Sequence, residues 1–240
     1  MKARLDRLVV ERGLADSREK AQALIMAGEV RVNGQKALKP GQAVEEGAAI
    51  EVLARPPYVS RGGFKLAGAL AHWKIAVAGE VCVDIGSSTG GFTDVLLQAG
   101  AARVHAVDVG VGQLDWKLRT DPRVVAHEGI NAREIAPEEI GEPAGFVCCD
   151  VSFISATMIV GPARALLRPG GRMVILVKPQ FEVGKGQVGK GGIVRDPELH
   201  RAACERVERA VRELDFQTDL MESPIAGAEG NKEFLLYAHH

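Results

Sequence analysis

The sequence predicts an α/β protein in which a small α+β unit precedes a doubly wound, mostly parallel sheet. Three observations predict it. From Glu80 onward, short apolar runs alternate with longer amphipathic stretches, the pattern of parallel strands joined by crossover helices. Ahead of that point the order is helix, helix, strand, turn, strand, closed off by Arg55-Pro56-Pro57-Tyr58, where consecutive prolines stop helix and sheet alike. The 240 residues are 46% hydrophobic but only 5% aromatic, so small aliphatic side chains carry much of the core, which suits closely packed strands.

The first unit, residues 1–54, opens on an apolar stripe, Leu5, Leu8, Val9 and Leu14, that marks a helix. Asp16-Ser17 caps a second helix over 18–26, with Ala21, Leu24 and Ile25 turned inward and Gly28 ending it. Val30-Arg31-Val32 alternates as a strand, Asn33-Gly34 signals a hairpin turn, and 48–53 closes the unit as a short strand. Residues 55–61 form a linker, and the second unit spans 62–240. Gly62-Gly63 opens a helix over 64–73. Strands are expected over 81–84, 103–108, 124–126, 146–150 and 173–178, then 215–221 and 234–237. Helices are expected over 92–98, 156–167 and 197–214. The stretch 179–195 holds five glycines and two lysines, and a loop of that length is uncommon without a role.

The net charge of −1 conceals an asymmetry: residues 1–40 hold nine Lys or Arg against five acids. A local basic excess suits a polyanionic partner, and on charge alone it suits a solvated basic face even better. Cys82, Cys148, Cys149 and Cys204 form no C-x-x-C and no cluster with zinc spacing, so reduced thiols in a cytoplasmic protein are expected, with no metal. The charged start, Met1-Lys2-Ala3-Arg4, does not fit a signal peptide, and the apolar runs are too short to span a bilayer, so no membrane partner is expected.

Four strands of the second unit end on a charge: Asp84, Asp108, Asp150 and Lys178. Ligands of open α/β sheets bind at that edge. Asp84-Ile85-Gly86-Ser87-Ser88-Thr89-Gly90-Gly91-Phe92 follows the first strand and opens a helix. Its glycines admit close backbone approach, and a helix start offers free N–H groups. Asp108, about twenty residues on, stands where an acid binds ribose hydroxyls. The spacing differs from G-x-G-x-x-G, and the pattern fits any nucleoside cofactor.

The loop Asp84 to Thr93 resembles the S-adenosylmethionine loop of FtsJ-like ribose methyltransferases. Ser60-Arg61-Gly62-Gly63-Phe64-Lys65-Leu66, Asp150-Val151-Ser152-Phe153-Ile154-Ser155, Val177-Lys178-Pro179-Gln180-Phe181-Glu182 and Gly230-Asn231-Lys232-Glu233-Phe234 resemble the TlyA family. Ser17-Arg18, Ala21, Leu24-Ile25, Gly28, Val30 and Val32-Asn33-Gly34 resemble the alpha-L RNA-binding fold. Together these matches span nearly the whole chain. The resemblance implies a Rossmann-like class I methyltransferase with a seven-stranded sheet, S-adenosylmethionine as cofactor, and rRNA or a ribosomal subunit as partner. It implies transfer to a cytidine 2′-hydroxyl, of large-subunit rRNA in the shorter subtype that the short ends suggest, and of both subunits in the longer subtype. It also implies a tetrad of Lys65, Asp150, Lys178 and Glu233. In that tetrad Lys178 would orient the hydroxyl and take its proton, with Asp150 and Glu233 holding the lysines.

Cofactor contacts are expected from Gly86, Ser88, Thr89, Gly90, Gly91 and Phe92, with Asp84 toward the methionine amine, directly or through water, and Asp108 on the ribose. Asn131 stands as an adenine contact or as a plain turn asparagine. Arg4, Arg7, Arg18 and Lys20 would meet phosphates, and Arg61, Lys185 and Lys190 would hold RNA beside the site, on a loop that orders with substrate. Rival readings include a membrane-active haemolysin and an RNA-binding assembly factor without turnover. A pore needs spanning elements that the sequence lacks, and an assembly factor has no need of an intact tetrad.

Overall fold

A computed structural model describes residues 2–53, 57–227 and 229–240. Arg55 and Pro56 of the expected linker, and the side chain of Lys185, lie outside the described residues. The chain divides into two compact units, Met1–Pro57 and Tyr58–His240.

In the first unit β1 (Lys2–Arg4) runs into α1 (Leu5–Glu11), followed by α2 (Arg18–Met26), β2 (Val30–Val32), β3 (Gln35–Ala37), β4 (Ala43–Glu45) and β5 (Ile50–Val52). Ser17 caps α2 as expected, its hydroxyl accepting from the Lys20 N–H at 3.2 Å. Asn33 and Gly34 both take positive φ, 50° and 79°, which is the two-residue hairpin turn that matches strand twist. β2 pairs antiparallel with β3 and β5, and β1 pairs with β4. Leu5, Val9, Ala21, Ile25 and Val30 are wholly buried between the helices and the strands.

The second unit runs α3 (Gly63–His72), β6 (Val81–Ile85), α4 (Gly91–Gln98), β7 (Arg103–Asp108), α5 (Trp116–Arg119), β8 (Val124–Glu128), α6 (Pro137–Ile140) and β9 (Ala144–Cys149). It continues with α7 (Val160–Ala165), β10 (Leu167–Val177), α8 (Pro179–Glu182), α9 (Pro197–Arg212), β11 (Gln217–Glu222) and β12 (Phe234–His239). These seven strands form one sheet in the order β11-β12-β10-β9-β6-β7-β8. Five are parallel, and β12 lies antiparallel to both β10 and β11. Successive side chains alternate between two cores: Cys82, Phe146 and Val174 pack under α3 and α4, while Val83, Val147 and Ile175 pack against α7 and α9. The parallel order reverses between β6 and β9, the switch point where such sheets open a cleft.

Three expected elements differ. The helix over 156–167 splits into a 3-10 turn, Ala156–Met158, and α7, and the chain turns into β10 already at Leu167. β10 is eleven residues long because a register shift between Leu167 and Arg172, with Gly170 at φ 73°, lets the Arg168-Pro169-Gly170-Gly171 stretch bulge while pairing continues. The stretch 179–195 is not a bare loop: α8 and two 3-10 turns, Lys185–Gln187 and Lys190–Gly192, occupy most of it.

Candidate active site

Four side chains from four separate segments of the second unit converge at the carboxyl edge of the sheet. Lys65 comes from α3, Asp150 from the residue after β9, Lys178 from the residue after β10, and Glu233 from the residue before β12. Lys65 Nζ stands 2.6 Å from Glu233 Oε2 and 4.0 Å from Asp150 Oδ2, and Lys178 Nζ stands 2.6 Å from Asp150 Oδ1. The charges therefore alternate along one chain: Glu233, Lys65, Asp150, Lys178. The two short contacts are close ion pairs without hydrogen-bond alignment. The aligned bond from Lys178 goes to Ser152 Oγ at 2.8 Å. Lys65, Lys178 and Glu233 are each under a tenth exposed, so the charges sit largely out of water and depend on one another.

Beside this row the glycine loop turns out of β6. Gly86 has φ +83°, and a Cβ there would lie 2.4 Å from the carbonyl oxygen of Asp150. Only glycine permits that approach. Gly90 starts α4 from the left-handed region, φ +96°. Asp108 accepts from the Ser88 N–H through Oδ2 and from the Gly110 N–H through Oδ1, both at 2.7 Å. A cleft of about 520 Å³ opens over this loop, lined by Gly86, Ser88, Asp108, Asn131 and Phe153 among others. A smaller space of about 200 Å³, lined by Ser60, Thr89, Gly91, Phe92, Asp150 and Lys178, continues it. On the other side of the tetrad lies a cleft of about 440 Å³, lined by Lys65, Lys178, Gln180, Phe181, Glu229 and Glu233. Ser152 lines all three spaces.

Asp84 lies beneath this cleft and is absent from its lining. It is wholly buried, Oδ2 accepts from Thr93 Oγ1 at 2.7 Å, and Cys148 Sγ stands 3.7 Å from Oδ1. Burial pushes its carboxyl up to about 7, against the bond from Thr93. The expectation of a direct contact between Asp84 and a ligand amine therefore does not fit: its carboxyl is fully covered, and its contacts are with Thr93 of α4 and Cys148 of β9. Asn131 has its amide engaged locally, Nδ2 donating to Glu134 Oε1 at 3.2 Å and Oδ1 accepting from the Arg133 N–H at 3.2 Å, while the residue still lines the cleft. Both earlier descriptions of it therefore have a structural counterpart.

The basic residues of the first unit are less free than their charge suggests. Arg4 and Arg18 each reach Asp6 at 3.0 Å, Arg7 reaches Glu11 at 2.5 Å, and Lys20 reaches Asp16 at 2.5 Å. All four side chains remain more than half exposed. Asp6 itself is wholly buried and takes a further bond from Gln22 at 2.8 Å. The bond from Arg4 is the largest of the causes that hold its carboxyl far below the usual range. Arg61 and Lys190 are exposed side chains of the second unit.

Residue-by-residue reading of the sequence missed several members of the site. Phe153 has φ +68°, unusual for an aromatic residue, and is 88% exposed with its ring 5.4 Å from that of Phe181. Glu182, almost fully buried, accepts from Ser155 Oγ and from the Ala156 N–H, both at 2.6 Å, and so ties the segment after β9 to α8. Asn231 accepts from the Val194 N–H at 3.0 Å and donates to the Gly192 carbonyl at 2.9 Å, pinning the end of the 179–195 stretch. All of them fall inside the segments that carried the resemblance or beside them, which was the available signal.

Comparison with known proteins agrees with this geometry. Residues 58–240 match the FtsJ-like methyltransferase family and residues 3–50 match the S4 domain family. The chain is 48% identical over 239 residues to the 16S/23S rRNA (cytidine-2′-O)-methyltransferase TlyA of Mycobacterium tuberculosis, covering 98% of this chain and 89% of that one. It is 43% identical to Hemolysin A of Brachyspira hyodysenteriae, covering 98% of each chain. A solved structure of a haemolysin-named protein from Streptococcus thermophilus superposes with a TM-score of 0.76 at 43% identity, covering 99% of this chain and 88% of that one. Among the described residues no helix is long and apolar enough to cross a membrane. With a family match over the entire second unit and relatives aligned over 98% of its length, the chain belongs to the FtsJ-like methyltransferases of the TlyA family.

Proposed function

We propose that the protein transfers a methyl group from S-adenosylmethionine to the ribose 2′-hydroxyl of a cytidine in rRNA. The observation that carries this reading is the position of the tetrad: Lys178 lines both the space over the glycine loop and the cleft on the far side, so it stands between two binding spaces. The name of the mycobacterial relative supports the choice of nucleotide.

The residues fit the cofactor. Gly86 leaves a backbone cradle that a Cβ would fill, and Asp108 and Asn131 line the large cleft as acceptors for sugar hydroxyls and a base edge. When bound, S-adenosylmethionine supplies a methyl group already activated as a sulfonium. The protein has to align the acceptor oxygen with that carbon and remove one proton. Lys178, positioned by Ser152 and Asp150, would hold the 2′-oxygen and, as the neutral amine, would take its proton when the methyl group is transferred. Lys65, held by Glu233 and near Asp150, balances the carboxylate and orients it. Phe153 offers an exposed ring at the mouth of the acceptor cleft on which an unstacked base can lie. The first unit supplies cations for phosphate contacts, with Arg4 and Arg18 set in place by Asp6. Ribosomes and reduced thiols both belong to the cytoplasm, which is the proposed location.

The test uses tritiated S-adenosylmethionine with 30S subunits, 50S subunits and deproteinised rRNA, comparing wild type with Lys178→Ala and Lys178→Arg. Label mapped to a 2′-O-methylcytidine, and reduced at least a hundredfold in both variants while cofactor and RNA affinity hold, is the expected result. Full turnover in both variants would remove Lys178 from the mechanism.

A further inference from the structure

Phe153 holds a conformation that its own chemistry does not favour. Its φ of +68° lies in the left-handed region, which residues other than glycine enter at a cost and keep only where the surroundings enforce it. At 88% exposure, packing of its own ring does little to enforce it. Among the described residues, no backbone–backbone hydrogen bond involves residues 151–154. The segment is therefore held from its two ends. Upstream, the Asp150 N–H donates to the Ile85 carbonyl and Lys178 donates to Ser152 Oγ. Downstream, the anchor is Glu182.

Glu182 closes α8 and is almost fully buried. One carboxylate oxygen accepts from Ser155 Oγ and the other from the Ala156 N–H, both at 2.6 Å, so it grips two consecutive residues just beyond Phe153. The grip stands on a fixed point. Arg206 of α9 donates to the Glu182 carbonyl at 3.0 Å, and α9 is seated on the core through Val207 and Val211. The segments after β9 and β10 are thus bridged at both ends. Lys178 meets Asp150 and Ser152 at one end, Glu182 meets Ser155 and Ala156 at the other, and the rings of Phe153 and Phe181 lie 5.4 Å apart between them.

We propose that Glu182 is a positioning residue for the acceptor nucleotide: it holds Phe153 in its left-handed conformation and so presents the ring on which the target base lies. The inference rests on the methyltransferase reading above and adds to it the group that keeps the stacking ring in place. Without the downstream anchor, φ of Phe153 returns to negative values, which redirects its Cα–Cβ bond and takes the ring away from its place in the acceptor cleft.

The test measures kcat, KM for the rRNA that takes the label, and cofactor affinity for wild type, Glu182→Ala, Glu182→Gln, Phe153→Gly and the double variant Glu182→Ala with Phe153→Gly. Glu182→Ala should raise KM for RNA about ten- to a hundredfold, the range of one lost base stack, with cofactor affinity by calorimetry unchanged. Glu182→Gln should recover most of that loss. Its amide can accept from the Ala156 N–H and donate to Ser155 Oγ, whose own proton turns to Thr157 Oγ1 at 2.7 Å. A residue that acts through Phe153 gives no further loss once the ring is gone, so the double variant should match Phe153→Gly within about threefold. Melting temperature checks the fold, and Ser155→Ala carries the same cycle if Glu182→Ala unfolds. Additive losses in the double variant overturn the proposal, as does a Glu182→Ala enzyme slowed in kcat with KM unchanged, or a Glu182→Gln enzyme as impaired as Glu182→Ala. Absence of transfer by wild type overturns the methyltransferase reading itself, and this inference with it.

Discussion

Replacing Asp84 by asparagine tests the electrostatics under the glycine loop. Asp84 is wholly buried in β6, and burial lifts its carboxyl from 3.8 to about 7. Between those values the folded chain keeps the proton and the unfolded chain has lost it, so folding takes up a proton and stability falls as pH rises across the window. Below pH 3.8 both states are protonated, and above about 7 both are ionised, with the full penalty in force. A rise from 3.8 to about 7 corresponds to about 4 kcal/mol, of which about 3 kcal/mol develops between pH 5 and pH 8. Asparagine cannot ionise, so the variant escapes this slope. Whatever else the substitution does, including its altered bond to Thr93, acts at both pH values and cancels in the difference. Both tryptophans, Trp73 and Trp116, lie in the second unit, so fluorescence during urea unfolding reports that unit alone. The stability of Asp84→Asn relative to wild type should improve by about 3 kcal/mol from pH 5 to pH 8. An unchanged difference would mean that Asp84 is ionised within the fold and that Thr93 outweighs burial.

Other perturbations separate the parts of the site. Phe153→Gly relieves a left-handed aromatic residue, worth about 1–3 kcal/mol less the flexibility glycine adds, so thermal stability should hold or rise. The same change should weaken turnover on RNA about ten- to a hundredfold through KM, with cofactor affinity intact by calorimetry. Gly86→Ala drives a Cβ into the Asp150 carbonyl at positive φ, and should cost at least tenfold in cofactor affinity together with a lower melting temperature. Asp6→Asn should destabilise the first unit at neutral pH. Because the Asp6 carboxyl is held low by Arg4, its contribution is present above 3.8 and fades as pH falls below that, so wild type and variant should converge in acid, as followed by circular dichroism of residues 1–57 within the full chain.

Much of this architecture was legible because it rests on periodicity and on motif. The inner strands β6, β7, β9 and β10 read as apolar runs since both sheet faces are covered there, and Asp108, Asp150 and Lys178 stand at their carboxyl ends. The tetrad was legible through the resemblance, because its members are scattered from residue 65 to residue 233 and no spacing links them. β1 and β4 went unseen: three residues give no period, and their pairing joins Lys2 to Glu45 across the unit. The basic excess of residues 1–40 was visible, but not that Asp6 holds Arg4 and Arg18, since a buried acid looks like any helix-start acid in sequence. Phe153 could not be read because backbone conformation, not composition, makes it exposed.

The glycine loop after β6 and Lys178 are not positioned independently of each other. The loop and Asp150 touch backbone to backbone: Gly86 lies against the Asp150 carbonyl, and the Asp150 N–H donates to the Ile85 carbonyl at 2.9 Å. Asp150 in turn fixes Lys178, and Glu182 ties the segment after Asp150 to the helix that follows Lys178. A shift of the glycine loop would carry Asp150, and through it Lys178, in the same direction. In-line transfer of a methyl group is sensitive to displacements near 1 Å. Coupling donor and acceptor through one short covalent and hydrogen-bonded path preserves their separation even when either cleft adjusts to its ligand. That accounts for a glycine at position 86, where a Cβ would press on the Asp150 backbone carbonyl and displace Asp150 along with the loop.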